Sequence, residues 1–406
     1  RQLTEIHKLL VPDIRATPAC YGPVGSWDDA ADPVEEIPEA GTTTWVEPRL
    51  VCEVRFTEWT PDGVLRHPAF LRLRDDKRPE DCERQGWAPA DTPDHALPAP
   101  AVEPMAAEEQ KTVTFSNLHK IFWPAEKYTK GDMIEYYRAI SPWLLPYLRN
   151  RPVVLTRFPD GIEGKSFYQK DAPDFAPEWI RTVPIWSNDT ERFIRYFVCD
   201  DEASLLYIAN SGTIPLHIWG SRVGSLELPD WCVIDLDPKE APFADVIRTA
   251  QVLHRICDEI RLPNYVKTTG KTGLHIMIPL GRQMTYEQTR TLGELLARLV
   301  IRELPKITTI TRVINKRGEK VYLDYLQNRH GQLIVAPFSV RPLPGATVSM
   351  PLQWEEVDDA LDPRAFTIKT APERMAAMGE DPVRPVIEEK VDLAGVMERL
   401  AALMAG

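Results

Sequence analysis

The chain is predicted to fold as an α/β (α+β) catalytic domain on a mixed sheet, preceded by a small, mostly β unit. Beyond residue 110, apolar runs with the two-residue period of strands alternate with stretches whose apolar side chains recur every three or four positions. Before residue 86 the apolar runs are short and broken by turn residues. Between them, residues 86–110 are rich in Pro, Ala and acids, the composition of an extended, semi-rigid linker. The expected organisation is therefore a β unit over 1–85, a linker over 86–110 and the catalytic domain over 111–406.

In the first unit, 44–54 and 65–74 read as strands joined through Pro61, Asp62 and Gly63, where Pro presets φ and Gly supplies a positive one. Thr129, three residues before Asp132, forms a capping box that opens a helix. Val246, Ile247, Ala250, Leu253, Ile256, Cys257 and Ile260 mark the apolar face of another. Strands are expected at 153–158, 193–198, 231–237, 265–268, 274–279, 321–326 and 333–338, with no internal repeat.

At 406 residues and 43% apolar composition, the chain can bury proper cores. It has neither a leader pattern nor 18 uninterrupted apolar residues, so the expected address is cytoplasmic, with no membrane partner. Cysteines 20, 52, 82, 199, 232 and 257 show no paired spacing, which disfavours zinc and a disulfide framework. Arg1 opens a helical-looking segment without an initiator Met, so a fragment of something longer is expected. The net charge of -12 hides a gradient. Residues 1–110 carry 11 basic and 22 acidic side chains and residues 351–406 carry 6 and 12, whereas 111–350 carry 31 against 26. The only basic part of the chain is the one with the candidate site, as expected of a catalytic nucleic-acid binder.

Asp235 and Asp237 stand at i and i+2 in an apolar strand-like run, so both project to one side and repel unless a cation lies between them. Oxygen-only ligands suit Mg²⁺ or Mn²⁺, which serve to hold and polarise phosphates. The alternative is a strand end whose acids face water before Pro238. Asp324 sits in a similar setting and is the candidate third carboxylate for two-metal chemistry; a hydrogen-bonded structural Asp is its alternative.

Gly270, Lys271 and Thr272 suggest a P-loop, but the first required Gly falls at Tyr265, and the following residues alternate like a strand. A β-turn whose amides, hydroxyls and Lys271 meet a triphosphate is the better reading. His275, just beyond it, and His217, among aromatic neighbours, are each either buried core histidines or phosphate contacts. Basic residues interleave with aromatics over 115–130 and 165–170, as in platforms that hold nucleic-acid strands. Residues 312–320 form a basic turn, read as solvated or as a template or primer clamp through Arg317.

Seven motifs in order, VTFSNLHKIFWP, FYQKDAP, LHIWGS, VIDLDP, KTTGKTGLHI, YLDYLQN and APFSVRPLPGA, closely resemble the primase-polymerase domain of the bacterial ligase D family, a branch of the archaeo-eukaryotic primase superfamily. The resemblance implies a primase-like mixed-sheet fold. It also implies two Mn²⁺ or Mg²⁺ ions on Asp235, Asp237 and Asp324, with His217, Thr269, His275, Gln327 and Arg341 around an incoming NTP or dNTP. Asn117, Lys120 and Lys130 match a pocket for the 5′-phosphate of a DNA gap, and Tyr168 stacks on DNA beside Lys170. The family often has Ser where this chain has Thr269, which keeps the hydroxyl and adds a methyl. By the same likeness the reaction is gap and end filling during nonhomologous end joining, in the nucleoid, with a ribonucleotide preference and Ku and an ATP-dependent ligase as partners.

Residues 1–85 resemble the C-terminal OB remnant of that ATP-dependent ligase, Arg66 to Lys77 matching its last motif. With no adenylation domain in the chain, no nick sealing is expected. Two other classes remain open at this point: a metal-dependent nuclease or phosphohydrolase using the same acids, and a non-catalytic DNA-end-bridging module.

Overall fold

The computed structural model describes residues 14–15, 45–46, 49–55, 69–73, 111–187, 190 and 192–405. The chain divides into two units, Arg1–Ala106 and Ala107–Gly406. In the first, Ile14–Arg15 pairs with Trp45–Val46 and Cys52–Arg55 pairs with Ala69–Leu73, both antiparallel. The rest of the two expected strands, the turn at 61–63 and the linker 86–110 lie outside the described residues, as do Cys20 and Cys82.

In the second unit a short hairpin, Ile121–Trp123 with Tyr128–Thr129, leads into helix α1 (Lys130–Leu148), followed by β1 (Pro152–Arg157), β2 (Phe167–Gln169), β3 (Thr182–Ser187), β4 (Arg192–Val198), α2 (Glu202–Asn210), β5 (Thr213–Trp219), a second hairpin of Ser221–Arg222 with Ser225–Pro229, and β6 (Trp231–Asp237). Then come α3 (Phe243–Glu259), β7 (Tyr265–Thr268), β8 (Leu274–Pro279), α4 (Tyr286–Glu303), β9 (Thr308–Thr309), β10 (Val321–Asp324), β11 (Leu333–Val335), β12 (Pro351–Leu352), α5 (Thr370–Met378) and α6 (Leu393–Ala405). The first sheet runs β11-β5-β1-β4-β3, with β2 also on β1, and is antiparallel throughout. The second runs β9-β10-β6-β8-β7-β12, and its β9–β10 pair is parallel.

The capping box forms as expected: the Thr129 side chain accepts from Asp132 N, and Asp132 accepts from Thr129 N. Pro142, inside α1, removes the donor that would reach the Arg138 carbonyl. The Ser141 hydroxyl donates to that carbonyl instead, at 2.9 Å, so the helix continues. The apolar face expected for α3 is buried against the second sheet, each full side chain contributing roughly 1.5–3 kcal/mol.

Alternation along β6 decides where the acids point. Cys232, Ile234 and Leu236 pack with α3 and α4, whereas Trp231 and Val233 face the opposite core, which also holds α1, α2 and the first sheet. Asp235 and Asp237 therefore emerge on the face away from α3 and α4. Asn328 braces this strand from the side: its amide accepts from Val233 N at 2.8 Å and donates to Val233 O at 2.6 Å.

Candidate active site

The second sheet lines up four polar residues across its strands. Asp324 on β10 is opposite Asp235 on β6, Asp235 is also opposite His275 on β8, and His275 is opposite Lys267 on β7. A cleft of about 290 Å³ lies over this row. Among its lining are His217, Asp235, Asp237, Thr269, Lys271, His275, Gln327 and Arg341. All the metal and nucleotide candidates from the sequence thus line one cavity except Asp324, which adjoins it through Asp235.

Each acid has a protein partner. Burial, followed by the neighbouring Asp235 charge, pushes the Asp324 carboxyl up, while Leu326 N, the Tyr322 hydroxyl and Gln327 Nε2 donate to it at 3.0, 3.2 and 3.2 Å. Asp237 accepts from Arg317 at 3.2 Å and from Lys239 N at 3.2 Å. The solvated basic turn expected at 312–320 needs correcting at Arg317, which is only 8% exposed. Its guanidinium lies 3.7 Å from the Tyr322 ring centroid and donates to Thr311 O, Arg312 O and Asp237, so its charge is directed to the carboxylate rather than to solvent.

Among the described residues, no group of three or more His, Cys, Asp or Glu side chains is gathered tightly enough to hold a metal ion. The donor set nevertheless fits a hard divalent cation. All three groups are carboxylates, and the like charges at Asp235 and Asp324 are what such an ion relieves.

The opposite wall is cationic and under-satisfied. His217 Nδ1 and Arg341 Nε are buried without a hydrogen-bond partner. Burial, then Arg341 and Lys267, bring the His217 imidazole down to about 4, so it is neutral at pH 7. Arg341 is positioned by a backbone bond to Thr347 O at 2.7 Å, within a short hairpin that also places Val340 N on the Tyr137 hydroxyl.

Between β7 and β8, Thr269 N donates to Gly273 O, and Thr269 Oγ1 accepts from the amides of Lys271 and Gly273 at 3.2 Å each. The hydroxyl thus shapes the loop, and Lys271 stays exposed at its tip. Gly270 has φ +68°, and a Cβ there would meet Ser349 N and the Val348 carbonyl carbon at 2.8 Å.

A second concavity is lined by Phe115, Asn117, Leu118, His119 and Lys120. Lys120 pairs with Asp160 at 2.5 Å. Lys130 is nearly buried, donates to Ser116 O at 2.7 Å and is lowered by burial, then by Lys120 and Arg157. Tyr168 is 71% exposed, its ring centroid 6.5 Å from that of His217, and Lys170 is exposed beside it.

Sequence reasoning missed Lys267 as a site residue. Its available signal was a lone Lys in the apolar strand run ending at Thr268, and the structure buries it completely.

Residues 129–383 match the family described as LigD, primase-polymerase domain. The chain belongs to this family. Residues 2–77 match the ATP-dependent DNA ligase C-terminal region. The chain is 36% identical over 267 residues to the bifunctional non-homologous end joining protein LigD of Bacillus subtilis (strain 168), covering 65% of this chain and 43% of that protein. It is 29% identical over 380 residues to the multifunctional LigD of Pseudomonas aeruginosa, covering 92% of this chain and 44% of that protein. The chain thus spans less than half the length of these relatives. The fold matches the polymerase domain from Mycobacterium tuberculosis ligase D, solved in complex with DNA, with TM-score 0.65 and 25% identity, covering 69% of this chain and 100% of that one. The mixed α/β architecture expected from the sequence is therefore that of a LigD polymerase domain. Among the described residues no helix is long and apolar enough to cross a membrane.

Proposed function

We propose that this chain is a template-directed nucleotidyltransferase that adds nucleotides to a primer 3′-hydroxyl at DNA ends and short gaps during nonhomologous end joining. The observation that carries this reading is the pairing, over one cleft, of a carboxylate row with a wall bearing unsatisfied buried nitrogens on His217 and Arg341. Acids alone would serve a hydrolase equally well. Acids facing a cationic, donor-rich wall suit a triphosphate held for transfer.

Asp235, Asp237 and Asp324 would hold two divalent cations, Mn²⁺ or Mg²⁺, which supply phosphate polarisation and charge neutralisation. Arg341, Lys271 and the amides of the Thr269 loop would grip the triphosphate. His217, neutral at pH 7, presents a hydrogen-bonding group rather than a charge. Gln327 steadies Asp324 while facing the same cavity. Holding the nucleotide this way fixes its α-phosphate for in-line attack, so positioning supplies much of the catalysis. Asn117, Lys120 and Lys130 would receive the 5′-phosphate across a gap, and exposed Tyr168 with Lys170 would meet the DNA. A ribonucleotide preference, Ku and an ATP-dependent ligase as partners, and a nucleoid location belong to the same reading through the LigD relatives.

The experiment is primer extension on a short gapped duplex bearing a 5′-phosphate, with Mn²⁺ or Mg²⁺ and either NTPs or dNTPs, beside an Asp235→Ala, Asp237→Ala control. Templated lengthening that vanishes in the control is the expected result. Shortened DNA would replace the polymerase reading with a nuclease, and binding without turnover would replace it with an end-bridging module.

A further inference from the structure

Lys267 is a full-length lysine with no exposed surface, on the second strand away from Asp235. Its Nζ lies 2.9 Å from His275 Nδ1 and 2.7 Å from Ser349 Oγ. The Ser349 hydroxyl is already committed, since it donates to Thr268 O at 2.8 Å, so toward Lys267 it accepts. At the other end of the row, His275 Nε2 faces Asp235 Oδ1 at 3.5 Å. A carboxylate only accepts, so a proton on that ring nitrogen is the arrangement that suits this contact. The donors and acceptors therefore close in one direction: Lys267 donates to Ser349 and to His275 Nδ1, and His275 Nε2–H points toward Asp235 and the cleft.

We infer that Lys267 is a positioning residue that fixes His275 in its Nε2–H tautomer and so aims a hydrogen-bond donor into the nucleotide site. The inference deepens the polymerase reading and rests on it for its kinetic consequence. In the neutral imidazole of this buried site, which tautomer dominates is set by the bond made at the other nitrogen. Without the Lys267 donor, His275 Nδ1 would have to find its own proton or stay unsatisfied, and the donor facing the cleft would be lost from part of the population.

The test uses the full chain with ¹⁵N-labelled histidine, the His275 signal being assigned by its absence in His275→Gln. Two-dimensional NMR distinguishes the two tautomers directly. The expected spectrum is Nε2–H in the native protein, with loss of that pattern in Lys267→Met. In extension assays that variant should raise the nucleotide KM about tenfold with a smaller change in kcat, the size expected for one hydrogen bond. Ser349→Ala provides a gentler second variant, with a shift of the same sign. An Nδ1–H signal in the native protein overturns the inference, as does an unchanged tautomer with unchanged KM in a folded Lys267→Met. Because the tautomer is read without turnover, a native protein that extends no primer would remove the polymerase reading alone.

Discussion

Asp235 and Asp324 are directly opposed on adjacent antiparallel strands, two carboxylates that no sequence-local contact brings together. A folded protein that carries such a pair is less stable than it could be, and the consequence is measurable. Asp324→Asn should reduce templated extension by at least about a hundredfold. The same change should raise the unfolding free energy by on the order of 1 kcal/mol, because a carboxyl pushed up by burial and then by the Asp235 charge is made neutral. Urea denaturation beside the extension assay checks both signs, and a variant that is both active and less stable would refute the argument.

Gly273 has a different constraint. A Cβ at this position would lie 2.2 Å from Leu236 O, the backbone oxygen between the two acids of β6. Gly273→Ala should therefore push the loop off the strand and lower stability by roughly 1–3 kcal/mol, with a rise in nucleotide KM. Equilibrium denaturation with substrate titration would show it.

Lys120 and Lys130 are not equivalent probes of the proposed phosphate pocket. Lys130 is nearly buried on Ser116 O, so reversing its charge damages the fold, whereas Lys120 is exposed beside Asp160. Lys120→Glu should abolish the preference for 5′-phosphorylated gaps and reduce the salt dependence of gap binding by about one counterion, leaving extension of a plain primer largely intact. Binding isotherms across salt concentrations, with and without the 5′-phosphate, test this.

Asp381 gives a pH signature independent of the active site. Buried and bonded to the Tyr147 hydroxyl at 2.6 Å, its carboxyl is raised to about 6, burial being the main cause. The folded state thus holds the proton more tightly than the unfolded chain, whose carboxyl titrates near 3.8. Stability from this group is present below that value and is lost as pH rises through about 6. The stability of Asp381→Asn relative to the native protein should accordingly climb between about pH 4 and pH 6 and level off above. A difference that is flat or falls over this window would contradict the assignment.

Local chemistry made much of this molecule readable. The Thr129 cap, the buried face of α3 and the strands at 231–237, 265–268 and 274–279 follow from short-range patterning, and the structure places them at those residues. β2, β3, β5, β9 and β12 were not anticipated: β2, β9 and β12 are two or three residues long, and β3 and β5 carry Pro184 and Pro215 in their interiors. The expected strand at 321–326 stops at Asp324, where its carboxylate caps a 3₁₀ turn by accepting from Leu326 N. Asp235 and Asp237 were visible as a pair because their spacing is local. The buried setting of Arg317 was not, since it depends on an acid 80 positions earlier, and the link from Lys267 to Ser349 spans 82.

The transverse row also carries a timetable. Asp235 is flanked by one strand that follows it closely in sequence and another that ends at Asp324, while Arg341 and the Ser349 anchor of Lys267 come later still. The pairings of Asp235 with His275 and with Asp324 close loops of tens of residues, the slow kind of contact in folding, whereas His275 and Lys267 are neighbours across one tight turn. A ribosome making this chain releases the acidic pair long before it releases the residues that answer it. The candidate site should therefore be assembled only once the chain has been made through Ser349, so that a shorter nascent chain exposes two clustered carboxylates without the residues that face them.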